Sequence, residues 1–174
     1  MRVIGGELRS RRLKGVAGMA TRPTPDRLRE TLFDIVGTRI EGATFLDAYA
    51  GTGAVGIEAL SRGASHVWFL ERSRAALGVL RENLTTLALE TRATVVPGPV
   101  VPALKQYSVD IVFLDPPYDQ EREYGLVLSV LAEAPPSLVV VQHSARLPLE
   151  ERYGRLQRSR LLRQGDNVLA FYTS

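Results

Sequence analysis

The sequence predicts an α/β protein: a Rossmann-like, mostly parallel seven-stranded sheet that ends in an antiparallel hairpin and is preceded by a small basic hairpin or arm. Three observations carry this expectation. From Phe45 onward short apolar runs alternate with helical patterns, which is how a parallel sheet covered on both faces reads. The first run leads through Asp47 into Ala50-Gly51-Thr52-Gly53-Ala54-Val55-Gly56, a glycine loop between a strand and a helix. A later run, Val109 to Leu114, ends on Asp115-Pro116-Pro117-Tyr118.

In chain order, Val3 to Leu13 holds a Gly5-Gly6 pair among scattered apolar residues and reads as a hairpin or arm. Residues 1–22 form this basic segment and residues 23–174 the main domain. Thr24-Pro25-Asp26 opens a helix, with Thr24 as cap, Pro25 in the first turn and Asp26 complementing the dipole. Leu28, Leu32, Ile35 and Val36 give it one apolar face, and Gly37 ends it. Arg27 and Arg29 fall on its polar side. Strands are expected at Thr44–Asp47, Val67–Leu70, Thr94–Val96, Val109–Leu114, Leu138–Gln142, Leu156–Leu162 and Val168–Tyr172. Helices are expected to begin near Ala54, Arg74, Val100 and Tyr124. The last two strands follow one another through Gln164-Gly165-Asp166-Asn167 with no helix between them, so the sheet ends mixed.

At 174 residues the chain suits one core. No apolar stretch reaches the roughly 18 residues of a membrane helix, and the basic N-terminus lacks the apolar segment of a secretory signal. Without cysteine there is no disulfide, thiolate metal site or cysteine nucleophile. The expectation is a cytoplasmic monomer with no membrane partner. The net charge of +3 is unevenly spread. Residues 1–29 carry eight Arg and Lys against two acids, residues 30–145 eight against fourteen, and residues 146–163 six Arg against two Glu. The cluster Arg9-Ser10-Arg11-Arg12-Leu13-Lys14 suits a phosphate backbone. Arg makes up 20 of the 22 basic residues, which composition bias alone can produce.

Gly51, Gly53 and Gly56 satisfy G-x-G-x-x-G, usually a dinucleotide signature. Asp47, four residues before Gly51, argues for a different ligand. A carboxylate there suits a cationic sulfonium with an ammonium group better than a pyrophosphate. Glu71 follows the apolar run Val67–Leu70, at the place of an acid that accepts from ribose hydroxyls. Asp47, Glu71 and Asp115 are all expected at the carboxyl edge of the sheet, where open α/β sheets bind ligands.

A nucleobase amine is a poor nucleophile because its lone pair is delocalised into the ring. Acceptors aimed at its hydrogens favour a pyramidal nitrogen and direct the lone pair at an incoming methyl carbon. Asp115 offers a carboxylate and Pro116 a carbonyl, Pro116 and Pro117 stiffen the loop, and Tyr118 can stack on the base. Together the loop and the tetrapeptide point to an amino-methyltransferase using S-adenosyl-L-methionine.

These residues closely resemble the RsmD family, bacterial methyltransferases that modify the N2 amine of one guanine in small-subunit (16S) ribosomal RNA. The likeness lies in Val3–Leu13, Thr21–Phe33 (with Arg22-Pro23-Thr24 the most discriminating part), Asp47–Ala64, Asp115–Tyr118 and Gly165–Tyr172. It implies a class I S-adenosylmethionine-dependent methyltransferase fold acting on RNA in a partly assembled small subunit. By the same resemblance Asp115, Pro116, Pro117 and Tyr118 are catalytic. Asp47, Tyr49, Ala50, Gly51, Thr52, Gly53, Glu71, Arg72, Gly98, Pro99 and Val100 hold the cofactor, and Arg9, Arg11, Arg12, Lys14 and Arg22 meet RNA. One departure stands out. Where such enzymes commonly place Asp or Asn near the adenine amine, this chain has Pro99, leaving only a backbone carbonyl as acceptor. Adenine-N6 methylation of DNA or RNA is the alternative, since the tetrapeptide serves either amine. A nucleotide-dependent oxidoreductase and a non-catalytic RNA-binding protein are the rivals from other classes. His66 and His143 lack ligand spacing, so no metal is expected, and Trp68 reads as core.

Overall fold

The computed structural model describes residues 1–18 and 24–174. Helix α1 (Asp26–Val36) precedes β1 (Thr44–Ala48), α2 (Ala54–Ser61), β2 (His66–Glu71), α3 (Arg74–Thr86), β3 (Ala93–Pro97), α4 (Val100–Leu104) and β4 (Ile111–Leu114). Then come α5 (Glu121–Glu133), β5 (Leu138–Ser144), β6 (Arg152–Tyr153), β7 (Leu156–Gln164) and β8 (Asn167–Thr173). One sheet joins all the strands in the order β3-β2-β1-β4-β5-β8-β7-β6. The first five run parallel, and β8, β7 and β6 pair antiparallel. The order reverses between β1 and β4, so a crevice opens at their carboxyl ends, the ligand-binding place of such folds.

The seven expected strands are joined by an eighth, the two-residue β6, which lies at the sheet edge and is too short to show a period. Alternation in the strands sorts side chains onto two apolar layers. Phe45, Phe69, Phe113 and Val140 pack under α1, α2 and α3, while Leu46, Val112, Val139 and Tyr172 pack against α4 and α5. Strand β4 begins at Ile111 rather than Val109, and α5 at Glu121 rather than Tyr124.

Two expectations at α1 need correction. Pro25 occupies the N-cap with no side-chain bond, and the Thr24 hydroxyl instead donates to Gln142 Oε1 at 3.2 Å. Arg29 is fully buried, not on the solvent side. Its guanidinium donates to the Arg2 carbonyl and to Asp26, and its Nε lies 3.5 Å from Glu58 Oε2. Helical spacing put Arg29 next to exposed Arg27, but the N-terminal segment covers that face.

That segment is docked onto α2. The buried Glu58 carboxylate accepts from Ile4 N at 2.9 Å and Gly5 N at 2.8 Å, and pairs with Arg62 Nε at 2.8 Å. Ser61 Oγ donates to the Gly5 carbonyl at 2.6 Å and accepts from Leu8 N at 2.9 Å. Gly6 has φ +77°, and a Cβ there would stand 1.9 Å from the Ser61 carbonyl oxygen, so only glycine permits this approach. Val3 and Leu13 are buried in the α1–α3 layer, and Arg2 and Arg12 form an antiparallel bridge. The hairpin is therefore anchored through its turn on α2 and through Val3 and Leu13 at its base, while Arg9, Arg11 and Arg12 stay exposed.

Candidate active site

The first wall of the crevice is the turn after β1. Asp47 is 1% exposed, and its Oδ2 accepts from Gly56 N, in the first turn of α2, at 2.9 Å. Burial pushes its pKa up to about 8; the Gly56 bond opposes this, and the charges of Asp115 and Glu71 add to it. Tyr49 sits at φ +65°, a conformation unusual outside glycine, and its hydroxyl donates to Glu123 Oε1 at 2.7 Å. Gly51 has φ +58°, with open space where a Cβ would stand. Gly53 is the N-cap of α2.

Glu71 ends β2 and braces the loop. Its Oε2 accepts from Gly51 N at 2.7 Å, and its Oε1 from Arg72 N at 2.9 Å and Ser73 N at 2.8 Å. Three of roughly four acceptor positions on the carboxylate are thereby engaged, and one stays open on Oε2. Gly98 N donates to the Glu71 carbonyl at 3.0 Å, which sets Gly98, Pro99 and Val100 beside Glu71 at the same edge. Asn83 adds a second brace: its amide nitrogen donates to the carbonyls of Thr52 (3.0 Å) and Lys14 (3.1 Å).

The second wall is the tetrapeptide after β4. Asp115 accepts no hydrogen bond from any described side chain or loop backbone group, and desolvation raises its pKa to about 7. Pro116 is buried, and its carbonyl accepts from the Tyr124 hydroxyl at 3.3 Å. A carbonyl has two lone pairs, so one remains for a ligand. Tyr118 is 45% exposed, with its hydroxyl donating to Asn167 Oδ1 at 3.3 Å.

A cavity of about 280 Å³ joins the walls, lined among others by Thr24, Asp47, Tyr49, Gly51, Thr52, Phe113 and Asp115. The structure thus brings Asp47, Tyr49, Ala50, Gly51, Thr52 and Asp115 to one space. Gly53, Glu71, Arg72, Gly98, Pro99, Val100 and the Pro116–Tyr118 segment flank it. The residues present fit S-adenosyl-L-methionine: an open glycine cradle, acids toward a cationic ligand, and an acceptor facing the reacting side. A larger cavity of about 400 Å³ lies between α4 and α5 at the opposite edge of the sheet. Its charged groups are the exposed Lys105–Glu133 pair at 3.0 Å, so the chemistry belongs to the smaller cavity.

Of the basic residues, Arg9, Arg11 and Arg12 are exposed and form no ion pair among the described residues. Lys14 pairs with Glu82. Arg22 lies outside the described residues. Sequence reasoning missed Glu123, Tyr124, Asn83 and Gln142. Asn83 left one signal, a polar residue on the apolar stripe of Leu77, Leu80 and Leu84 in α3. Among the described residues no three His, Cys, Asp or Glu side chains converge in a way that could hold a metal.

A family model described as "Conserved hypothetical protein 95" matches residues 1–173. "Putative rRNA methyltransferase YlbH" of Bacillus subtilis is 36% identical over 99% of this chain and 98% of its own length. "Ribosomal RNA small subunit methyltransferase D" of Haemophilus influenzae is 36% identical over 86% of this chain and 81% of its own. A solved Escherichia coli structure, "Putative methyltransferase yhhF", superposes with a TM-score of 0.88 at 32% identity, covering 99% and 97% of the two chains. The chain is a member of this family, the RsmD family, on a class I methyltransferase fold.

Proposed function

We propose that this protein transfers a methyl group from S-adenosyl-L-methionine to the exocyclic N2 amine of a guanine in small-subunit ribosomal RNA, on a partly assembled subunit in the cytoplasm. The observation that carries the reading is the cavity shared by the glycine loop and the Asp115 carboxylate, which has no partner among the described residues. Both relatives' names support ribosomal RNA as substrate, and that of the Haemophilus influenzae relative supports the small subunit. Bound in the cradle, the cofactor supplies an electrophilic methyl carbon on a sulfonium.

Asp47 faces the cationic end of the cofactor, and Glu71 offers its open lone pair to the ribose. Gly51 and Thr52 give backbone access. On the other wall, Asp115 and the Pro116 carbonyl accept from the target amine and aim its lone pair. The raised pKa of Asp115 matches it to take the proton that the nitrogen loses. Tyr118, half in solvent, is free to stack on the base, and the docked hairpin presents Arg9, Arg11 and Arg12 to the backbone.

The test is methyl transfer from labelled S-adenosyl-L-methionine to small subunits from cells lacking this protein. Label is expected in small-subunit RNA and absent from large-subunit RNA and duplex DNA. Label in DNA alone, or NAD binding tighter than S-adenosyl-L-methionine binding, would overturn the reading.

A further inference from the structure

Strand β5 brings a second polar side chain to the carboxyl edge. Leu114 pairs with Val141, so Asp115 and Gln142 are the next positions along neighbouring parallel strands. Phe113 and Val140, two residues before each, both belong to the α1–α3 layer. By alternation Asp115 and Gln142 therefore share that face. Asp115 opens into the cavity, whereas Gln142 is 3% exposed. Its Oε1 accepts from the hydroxyl of Thr24, which itself lines the cavity. Among the described residues the amide nitrogen has no hydrogen-bond partner, and it is not one of the polar atoms sealed off without one, so it stays open to water or a ligand.

An amide whose oxygen is held by Thr24 and whose nitrogen is open offers its N–H groups to an acceptor on a ligand. Neighbouring strands lie about 4.8 Å apart. That spacing matches the span of a guanine edge from the 2-amino to the 6-oxo group. We propose that Gln142, held by Thr24, donates to the 6-oxo group of the target guanine while Asp115 accepts from its 2-amino group, so that the pair selects guanine. This rests on the guanine-N2 reading above. Adenine offers no acceptor at the second place: with its amine on Asp115, the base covers the Gln142 amide without pairing it, which disfavours the wrong base. Thr24 is a positioning residue that acts through Gln142.

The test uses small subunits reconstituted with RNA carrying guanine, 2-aminopurine or 2,6-diaminopurine at the mapped target. All three bases keep the 2-amino group; 2-aminopurine lacks the 6-oxo group and diaminopurine replaces it with a donor. Wild type should prefer guanine over 2-aminopurine by at least about tenfold in kcat/KM. Gln142→Leu should bring guanine down to the 2-aminopurine rate at unchanged cofactor affinity. The near-isosteric Gln142→Glu, which offers an acceptor, should turn the preference toward diaminopurine, and Thr24→Val should weaken discrimination while Thr24→Ser keeps it. Discrimination by Gln142→Leu or Gln142→Glu equal to that of wild type would overturn the assignment. Wild-type methylation of adenine N6 in place of any 2-amino group would instead bring down the guanine reading on which it rests.

Discussion

At the scale of single residues, two carboxylates at this sheet edge are expected to do different work. Among the described residues Asp115 has no partner to hold its charge, and burial raises its pKa to about 7. An acceptor of amine hydrogens must be ionised, so kcat/KM should rise as pH climbs through about 7 and level off above it. Asp115→Asn should remove that rise, and Asp115→Ala should lower turnover at least about a hundredfold with little change in cofactor affinity. Near-normal single-turnover rates in Asp115→Ala would show that another group positions the amine. Glu71, by contrast, is expected to act on affinity. Glu71→Ala should weaken S-adenosyl-L-methionine binding by roughly 1.5–3 kcal/mol, the range for a hydrogen bond to a charged group. Unchanged affinity by calorimetry in a folded variant would remove Glu71 from the site.

At the scale of elements, the N-terminal hairpin is the part that structure changes most. Buried Glu58 takes two of its backbone N–H groups, and Gly6 lies against Ser61, so it moves with α2 while its arginines face outward. Replacing Arg9, Arg11 and Arg12 by Ala should lower the magnitude of the salt slope of RNA binding by about 2–3, at about 0.7–0.9 per phosphate contact. Adding Lys14→Ala should change it less, since Glu82 already neutralises Lys14. The same nucleotide should still be modified, because phosphate contacts position and do not specify. Equal slopes would make these arginines plain surface and turn attention to Arg152, Arg155, Arg158 and Arg160. The parallel strands were legible because each is an apolar run, buried in all but the half-buried β3, and the glycine loop and tetrapeptide because strand ends rarely carry such residues. The hairpin's docking was not legible. Arg29 and Glu58 look like solvent-facing helix charges until a segment distant in sequence covers them. Thr24 likewise reads as a cap by position, and its bond to Gln142 joins residues 118 apart.

For the whole molecule, the site works against the fold. Asp47 lies near the end of β1, facing α2, with its pKa pushed by burial from the ordinary carboxylate range up to about 8. The native state then holds a proton that the unfolded chain has released, so stability without cofactor falls as pH rises from about 4 to about 8. Asp47→Asn keeps an oxygen for Gly56 N and removes the charge. It should melt close to wild type at pH 5 and higher at pH 9, by roughly 2–4 °C per kcal/mol relieved, while binding S-adenosyl-L-methionine more weakly. A lower melting temperature than wild type at pH 9 would mean that the charge is compensated. Such a trade of stability for binding is expected where a buried acid serves a cationic ligand. The central claim is that the shared cavity delivers a methyl group to a guanine 2-amino group. The most direct measurement is to incubate wild-type protein with S-adenosyl-L-methionine and small subunits lacking their own methylations, digest the RNA to nucleosides and identify the product by mass. The account predicts N2-methylguanosine at one position, lost in Asp115→Ala; N6-methyladenosine, or no methylated nucleoside from a protein that binds the cofactor, would contradict it.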